Sequence, residues 1–206
     1  MVTGASSGIG WATAEVLSKE GANLILCGRR ESRLKELQSK LDTPSYILVF
    51  DVGDKERVFE KINSLPEKFS SIDILINNAG NAHGLNPVHE ADLNDWDAMI
   101  DSNFKGLIYI TKAVLPTMVS RKKGHIINLG SIAGKEVYPN GSVYCSSKFA
   151  VDAFTEGLRL DLNPLGIKVS AVHPGMVNTE FSEIRFKGNK HKASQVYKGL
   201  TPLSAK

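Results

Sequence analysis

The stretch T-G-A-S-S-G-I-G, residues 3–10, lies near the start of the chain and runs directly into a helical pattern of apolar residues. Glycines at such a turn allow tight backbone conformations and let a ligand approach the main chain closely. The first turn of a helix leaves N–H groups unpaired, which suits a negatively charged pyrophosphate. The stretch therefore predicts a strand–turn–helix unit that binds a dinucleotide, although ordinary strand-to-helix loops also contain glycines.

The rest of the chain repeats this unit. Short apolar runs at 23–27, 46–50, 72–76, 125–129 and 167–172 alternate with helical patterns. That rhythm predicts an α/β fold of the Rossmann type, a doubly wound parallel sheet with helices on both faces. Because only Met1 and Val2 precede the first turn, we expect the first strand to be clipped. No linker or repeat divides residues 1–206, so we expect a single domain.

The composition excludes several other classes of protein. The 206 residues are 42% hydrophobic and 23% charged, and the net charge of +3 is too small and dispersed for a nucleic-acid partner. The two cysteines, Cys27 and Cys145, have no metal-ligand spacing and are expected to be reduced and unpaired. No apolar run reaches membrane-spanning length, and no signal peptide is recognisable. We therefore expect a soluble, cytoplasmic protein without a metal site or membrane partner.

The end of the second strand indicates which dinucleotide binds. Arg29 and Arg30 lie about 20 residues beyond the glycines, where this fold contacts the adenosine ribose. NAD sites favour a carboxylate there, whereas a guanidinium suits the additional phosphate of NADP. The alternative is that both arginines only begin the next polar helix. Asp51 and Val52 end the third strand and are candidates for the adenine pocket, although Asp51 is also a candidate helix N-cap.

Candidate chemistry is concentrated in the second half of the chain. Tyr144 and Lys148 are spaced to share one helix face, so the ammonium could favour the phenolate. Ser131 follows the fifth strand and is placed to share a substrate oxygen with Tyr144. Asn103 lies within a long apolar helical pattern that we expect to run from about residue 92 until Pro116 and Gly124 end it. As a buried amide, Asn103 must be hydrogen-bonded, either to helix carbonyls or within a proton path.

Together these motifs resemble the short-chain dehydrogenase/reductase family. The resemblance rests on T-G-x-x-x-G-x-G at 3–10, N-N-A-G at 77–80, Asn103, Ser131, the pair Tyr144 and Lys148, and Pro174-Gly175. It implies that Tyr144 is the catalytic acid/base and that Ser131 binds the substrate oxygen. It also implies that Lys148 lowers the pKa of Tyr144 and holds the nicotinamide ribose, while Asn103 supports a water that links Lys148 to solvent.

The same resemblance implies a set of NADP-binding residues along the carboxyl ends of the strands. They are Thr3, Gly4, Ser6, Ser7, Gly8, Ile9, Gly10, Arg29, Arg30, Asp51, Val52, Asn78, Ala79, Gly80, Tyr144, Lys148, Pro174, Gly175, Val177 and Thr179. The family also implies a homodimer or homotetramer. Its members place a further helix and strand at the sheet edge, so we expect the last strand to be missing here and the edge to be exposed.

Residues 178–203 are expected to form a mobile lid over the substrate. The runs F-S-E-I-R-F-K-G-N, N-L-G-S-I-A-G and V-Y-C-S-S-K-F-A resemble the branch that oxidises short 3-hydroxy acids and serine-like amino acids with NADP. Such substrates carry a carboxylate, and Arg185 is the cation predicted to bind it, unless it is merely exposed on the lid. Two alternatives remain: an NADPH-dependent reductase of larger 3-oxo or ketone substrates, and a non-catalytic nucleotide-binding domain.

Overall fold

A parallel six-stranded sheet forms the centre of the chain in a computed structural model, which describes residues 1–205. The strands are β1 (Val2–Thr3), β2 (Leu24–Gly28), β3 (Ser45–Val49), β4 (Ile74–Asn77), β5 (Gly124–Leu129) and β6 (Ile167–Val172). Their order is β3-β2-β1-β4-β5-β6, and each pair of neighbours is parallel. This confirms the predicted doubly wound sheet, with its order reversing between β1 and β4.

Helices cover both faces of this sheet. They are α1 (Gly8–Lys19), α2 (Glu31–Gln38), α3 (Lys55–Asn63), α4 (Glu67–Ser70), α5 (Leu93–Ile100), α6 (Gly106–Arg121), α7 (Ser142–Leu162), α8 (Phe181–Arg185) and α9 (Lys190–Gln195). Along β2, Leu24 and Leu26 belong to one hydrophobic cluster and Ile25 and Cys27 to a second. Because alternate residues of a strand face opposite sides, this division shows that β2 is buried on both faces.

The long helix expected from residue 92 differs from the prediction in two ways. Between α5 and α6, residues Asp101–Lys105 form a π-helical segment that contains the buried Asn103. The predicted end at Pro116 is wrong, because α6 contains Pro116 and continues to Arg121, and β5 begins at Gly124. Proline removes only one N–H donor from a helix, and contacts with α3 and the sheet bury Ile110, Val114 and Met118 on the inward face.

Several smaller predictions are also resolved. Asp54, rather than Asp51, caps α3 by accepting a hydrogen bond from the Arg57 N–H at 3.0 Å, so the capping alternative for Asp51 is wrong. Both cysteines are free and buried, as predicted. None of the helices within residues 1–205 has the length and hydrophobicity to cross a bilayer.

A second, two-stranded sheet lies in the predicted lid segment. Strand β7 (Val177–Asn178) pairs in parallel with β8 (Leu203–Ser204), and α8 and α9 lie between them. We call residues 177–204 the lid segment. Its two short helices contact each other, and residues 173–176 connect it to the end of β6, so the segment begins at the carboxyl edge of the main sheet.

Candidate active site

The glycine-rich turn joins β1 to α1 and packs closely against the end of β4. A Cβ on Gly10 would lie 2.4 Å from Asn78 Nδ2 and 2.5 Å from the Gly4 oxygen. Gly4 and Gly8 have φ of 65° and 54°, a conformation that glycine adopts at little cost. A side chain at Gly10 would therefore clash with Gly4 and Asn78, so glycine at this position allows the turn to pack against the end of β4.

Thr3 and Asn78 lie on the predicted cofactor edge, where their side chains join β1 to β4. Thr3 Oγ1 accepts hydrogen bonds from the N–H groups of Asn78 and Ala79, both at 3.0 Å. The Asn78 amide donates to the Thr3 and Gly4 carbonyls at 2.9 and 3.3 Å. These side chains hold the two loops at the point where the strand order reverses.

The helix N-terminus beside this turn has unpaired donors. Ser7 is the N-cap of α1, yet its side chain makes no capping hydrogen bond. Ile9 lies in the first turn and is half-buried. First-turn N–H groups that lack a side-chain cap are available to a bound phosphate.

The two arginines after β2 have different partners. Arg29 forms an exposed ion pair with Asp51 at 3.2 Å. Arg30 donates to the Ser6 carbonyl at 3.2 Å and pairs with Glu180 of the lid segment at 2.8 Å. Both guanidinium groups therefore lie at the carboxyl edge of the sheet, and Arg30 connects the glycine-rich turn to the lid segment.

The remaining predicted cofactor residues line the same edge, except for the side chain of Val52. Val52 is buried against Gly106, whose Cβ would lie 2.6 Å from a Val52 methyl group. Thr179 packs on Gly8 of the turn, at 3.2 Å from a Cβ built there. The Pro174 carbonyl accepts a hydrogen bond from the Ile132 N–H at 3.1 Å, whereas Gly175 faces open space.

Helix α7 brings Tyr144 and Lys148 to the ends of β4 and β5. Lys148 is buried, and its ammonium donates to the Leu129 carbonyl at 2.9 Å rather than to the Tyr144 hydroxyl. Burial alone lowers the pKa of Lys148 to about 8. Lys148 Nζ also lies 3.7 Å from the position of a Cβ on Gly80, so a side chain at Gly80 would crowd the ammonium.

The half-buried Tyr144 phenol lies between Ser131 and the lid segment. Burial raises the pKa of Tyr144 to about 12, while the Ser131 hydroxyl and the Arg185 charge act in the opposite direction. Lys148 was predicted to lower this pKa, but its ammonium is directed to a carbonyl instead. Ser131 is ordered by the Ala133 N–H, which donates to its Oγ at 3.1 Å.

Asn103 lies in the π-helical segment, and both the oxygen and the nitrogen of its side-chain amide form hydrogen bonds. Its Oδ1 accepts from the Asn81 N–H at 2.7 Å, and its Nδ2 donates to the Asn81 carbonyl at 2.9 Å. The same Nδ2 donates to Ser147 Oγ at 3.1 Å, and Ser147 donates to the Tyr144 carbonyl at 2.7 Å. Asn103 thus joins the loop after β4 to the catalytic helix. Ser147, three residues after Tyr144, was missed by sequence reasoning.

A cavity of about 520 Å³ opens beside Tyr144 and extends under the lid segment. Its wall includes Trp96 and Met99 of α5, together with Arg185. Arg185 is only 9% exposed, so the alternative of an exposed lid residue is wrong. Its guanidinium donates to the Tyr138 hydroxyl and lies 5.2 Å from the centre of the Tyr144 ring.

Two polar contacts fasten the lid segment over this cavity. The Gly84 N–H donates to the Arg185 carbonyl at 2.9 Å. Lys187 forms an ion pair with Asp95 of α5 at 2.9 Å. Sequence reasoning missed the Tyr138–Arg185 and Asp95–Lys187 contacts, because each joins residues far apart in the chain with no local pattern.

Comparison with known proteins agrees with this geometry. The family model described as short chain dehydrogenase matches residues 1–190. The chain belongs to the short-chain dehydrogenase family. This membership makes it an oxidoreductase that acts on CH–OH groups.

Individual relatives within this family are described as hydroxy acid and serine dehydrogenases. This short-chain dehydrogenase is 45% identical to the NADP-dependent 3-hydroxy acid dehydrogenase YdfG of Escherichia coli O6:H1, over 99% of this chain and 83% of that protein. It is 46% identical to the NADP-dependent 3-hydroxy acid dehydrogenase of Schizosaccharomyces pombe, over 99% and 81%. It is also similar to the closed form of a serine dehydrogenase complexed with NADP+, with a TM-score of 0.96, 44% identity and coverage of 99% and 83%.

Proposed function

We propose that this dehydrogenase oxidises the hydroxyl of a short 3-hydroxy acid, or of a serine-like amino acid, with NADP. The observation that carries the substrate class is Arg185, a buried cation that shares a cavity with the Tyr144 phenol. The relatives described as 3-hydroxy acid and serine dehydrogenases support the same class. We treat residues 1–206 as one catalytic domain.

The residues along the sheet edge fit NADP. The uncapped N-terminus of α1, which follows the tightly packed glycine-rich turn, offers its N–H groups to a pyrophosphate. Arg29 and Arg30 supply guanidinium groups where the additional phosphate of NADP would lie, and no acidic residue ends β2. When bound, NADP accepts or donates the hydride.

Side chains of the protein transfer the proton and position the substrate. Ser131 and Tyr144 approach one another from β5 and α7, so both hydroxyls can bind the same substrate oxygen. In oxidation, the ionised Tyr144 accepts the proton of the substrate hydroxyl, and in reduction the neutral phenol donates it. The buried Lys148 ammonium would hold the nicotinamide ribose, and Asn103 fixes the loop after β4 against α7.

Arg185 is suited to bind the substrate carboxylate. Its Nε is buried and has no hydrogen-bond partner among residues 1–205, and no carboxylate in that range pairs with it. A buried guanidinium without an anionic partner is costly, and a bidentate carboxylate would relieve that cost. A 3-hydroxy acid would then have its carboxylate at Arg185 and its hydroxyl at Tyr144.

One observation favours a second candidate, the reduction of larger 3-oxo or ketone substrates. The cavity of about 520 Å³ exceeds the volume of a three- or four-carbon acid and falls in the range that accommodates drug-sized ligands. Trp96 and Met99 supply an apolar wall for a longer chain. The two candidates differ in whether a free carboxylate is required.

A substrate panel distinguishes these candidates. Reduction of NADP and NAD is followed with L-serine, 3-hydroxypropanoate, its methyl ester and a bulky secondary alcohol. We expect NADP turnover to be fastest with the acids, and the R185M variant to raise their KM at least tenfold. A matched variant, K190M, removes an exposed lid cation and should leave KM unchanged. Faster turnover of the ester or the bulky alcohol would instead support the second candidate.

We further propose a homodimer or homotetramer in the cytoplasm. Helix α7 exposes Phe149 and Leu160, at 41% and 78%, which is consistent with a covered face in an assembly. Sedimentation at micromolar concentration measures the mass, and a monomer would refute this proposal.

A further inference from the structure

Arg185 lies in an aromatic box at the edge of the cavity. Its Cζ is 5.7, 5.2 and 5.9 Å from the ring centres of Tyr138, Tyr144 and Phe181. A cation at this distance from a ring is attracted to the π-face and is partly shielded from water. The side chain is 9% exposed, and within residues 1–205 no carboxylate neutralises it. The Tyr144 phenol therefore experiences an uncompensated positive charge in a region of low dielectric.

The two buried cations of the site differ in their position and in their response to pH. The Lys148 ammonium is directed to the Leu129 carbonyl, and burial lowers its pKa to about 8. The Arg185 guanidinium lies 5.2 Å from the centre of the Tyr144 ring, and it stays charged at every pH at which the protein is folded. Burial raises the pKa of Tyr144, and the Arg185 charge acts in the opposite direction. Arg185 is therefore a permanent cation that opposes the cost of burying a phenolate.

We propose that Arg185 has a second role, in which its permanent charge favours the ionised form of the Tyr144 hydroxyl. This role rests on the proposed function, in which Tyr144 is the acid/base and Arg185 binds the carboxylate. It makes Arg185 a positioning residue for proton transfer as well as a substrate ligand. A bound carboxylate would neutralise part of the charge, so an uncharged substrate would experience the effect more fully.

Other groups around Tyr144 also contribute to its ionisation. The titratable side chains that face it are Tyr138 and Cys145, and the same cavity wall includes His83 and Asp95. Ser131 stabilises the phenolate through its hydroxyl, while Tyr138 and Cys145 oppose ionisation. An Arg185 variant also removes the hydrogen bond to Tyr138, so Y138F is the control that separates the loss of this bond from the loss of the charge.

The kinetic test uses methyl 3-hydroxypropanoate, which has no carboxylate for Arg185 to bind. We expect R185M to lower kcat/KM for this ester about tenfold at pH 7, with its pH profile displaced to higher pH than that of the wild type. R185K should restore most of the rate at pH 7, because it keeps a positive charge. Identical ester profiles for wild type and R185M would overturn the proposal, even if the KM for the acids rises.

A control and a second measurement cover the remaining outcomes. K190M removes an exposed cation from the same segment and should leave the ester profile unchanged. NMR of ¹³C-labelled tyrosine, assigned with Y144F, follows the Tyr144 ring carbon in the NADP complex as the pH is raised from 7 and needs no turnover. We expect the Tyr144 titration to begin at a higher pH in R185M than in wild type. Superimposable titration curves would overturn the proposal.

Discussion

The carboxyl edge of the sheet and the lid segment face each other across the active site, but different forces hold them. At the sheet edge, Thr3 Oγ1 and the Asn78 amide are committed to main-chain groups, and Gly4 and Gly10 leave no space for a side chain. The lid segment is held by separate contacts along its length, including the Gly84–Arg185 main-chain hydrogen bond and the Lys187–Asp95 ion pair. Lys187 is exposed, and ion pairs with a solvated partner contribute little to stability, so we expect the lid segment to open more easily than the sheet edge.

This difference matches the two proposed tasks of the site, which are cofactor binding at the sheet edge and substrate exchange at the lid segment. The sheet edge must present the same backbone geometry to every cofactor molecule, so it is built into the fold. The lid segment must admit and release substrate, so its contacts are fewer and reversible. Variants at the sheet edge should therefore affect folding and cofactor binding, whereas variants in the lid segment should affect mainly KM.

The largest effect in this comparison is expected for G10A. Its Cβ would lie 2.4 Å from Asn78 Nδ2 and 2.5 Å from the Gly4 oxygen, where the backbone cannot move easily. We expect a loss of roughly 2–4 kcal/mol in the free energy of unfolding, with weakened NADP binding. Chemical denaturation measures it. On α7, G157A meets no atom within 4 Å and should be neutral or slightly stabilising. Equal stability of the two variants would contradict the account of the turn.

The K148M variant should show that the buried Lys148 charge, on α7 beside the end of β5, lowers the stability of the fold. The pKa of Lys148 falls from 10.5 to about 8 on folding, so below pH 8 the folded state pays the full cost of a buried charge. This cost disappears as the pH rises from 8 to 10.5, where the unfolded state also loses its proton. We expect K148M to be about 2 kcal/mol more stable than wild type at pH 7 and equally stable near pH 10.5. Thermal melts at both pH values measure this, and an unchanged Tm at pH 7 would refute it.

The third prediction concerns Arg30, which contacts both regions. Its guanidinium bonds the Ser6 carbonyl and pairs with Glu180 of the lid segment. We expect R30M to raise the Kd for NADP about tenfold while leaving that for NAD nearly unchanged, because only NADP has the additional phosphate. Titration calorimetry measures both constants. R57M removes an exposed arginine that pairs within α3 and serves as the control. A parallel loss of NAD affinity in R30M would show that Arg30 only supports the turn.

The smallest effect is expected for D95N, which removes the ion pair with Lys187 and leaves the side chain volume unchanged. We expect the KM for 3-hydroxy acids to rise about two- to threefold, with kcat and NADP affinity unchanged, because Lys187 is exposed and an ion pair with one solvated partner is worth about 1 kcal/mol or less. Steady-state kinetics in low and high salt measure this. The difference from wild type should shrink in high salt, where the pair is screened. A large fall in kcat would place Asp95 in the chemistry instead.

The sequence predicts the sheet edge far better than the lid segment. The turn at 3–10 and the apolar strands have local periodicity, and the doubly wound parallel sheet that they predict is confirmed. The irregular parts of the helices could not be predicted from the local sequence. The π-helical segment around Asn103 and the continuation of α6 beyond Pro116 both depend on packing against other elements.

The substrate side depends on contacts between distant residues. Arg185 was predicted from the type of substrate, but its burial among Tyr138, Tyr144 and Phe181 has no signal in the local sequence. The direction of the Lys148 ammonium toward the Leu129 carbonyl likewise depends on where α7 docks beside β5. Helical spacing places Tyr144 and Lys148 on one face, but it cannot fix which acceptor the ammonium finds.

Both regions meet at Tyr144, and its replacement tests the central claim most directly. In Y144F the phenol oxygen is lost while the ring stays in place, and Y138F makes the same change on the neighbouring phenol that contacts Arg185. With 3-hydroxypropanoate and saturating NADP, we expect Y144F to lower kcat about 10²- to 10⁴-fold with an unchanged Kd for NADP, and Y138F to keep most of its kcat. A wild-type kcat in Y144F would contradict the assignment of Tyr144 as the acid/base.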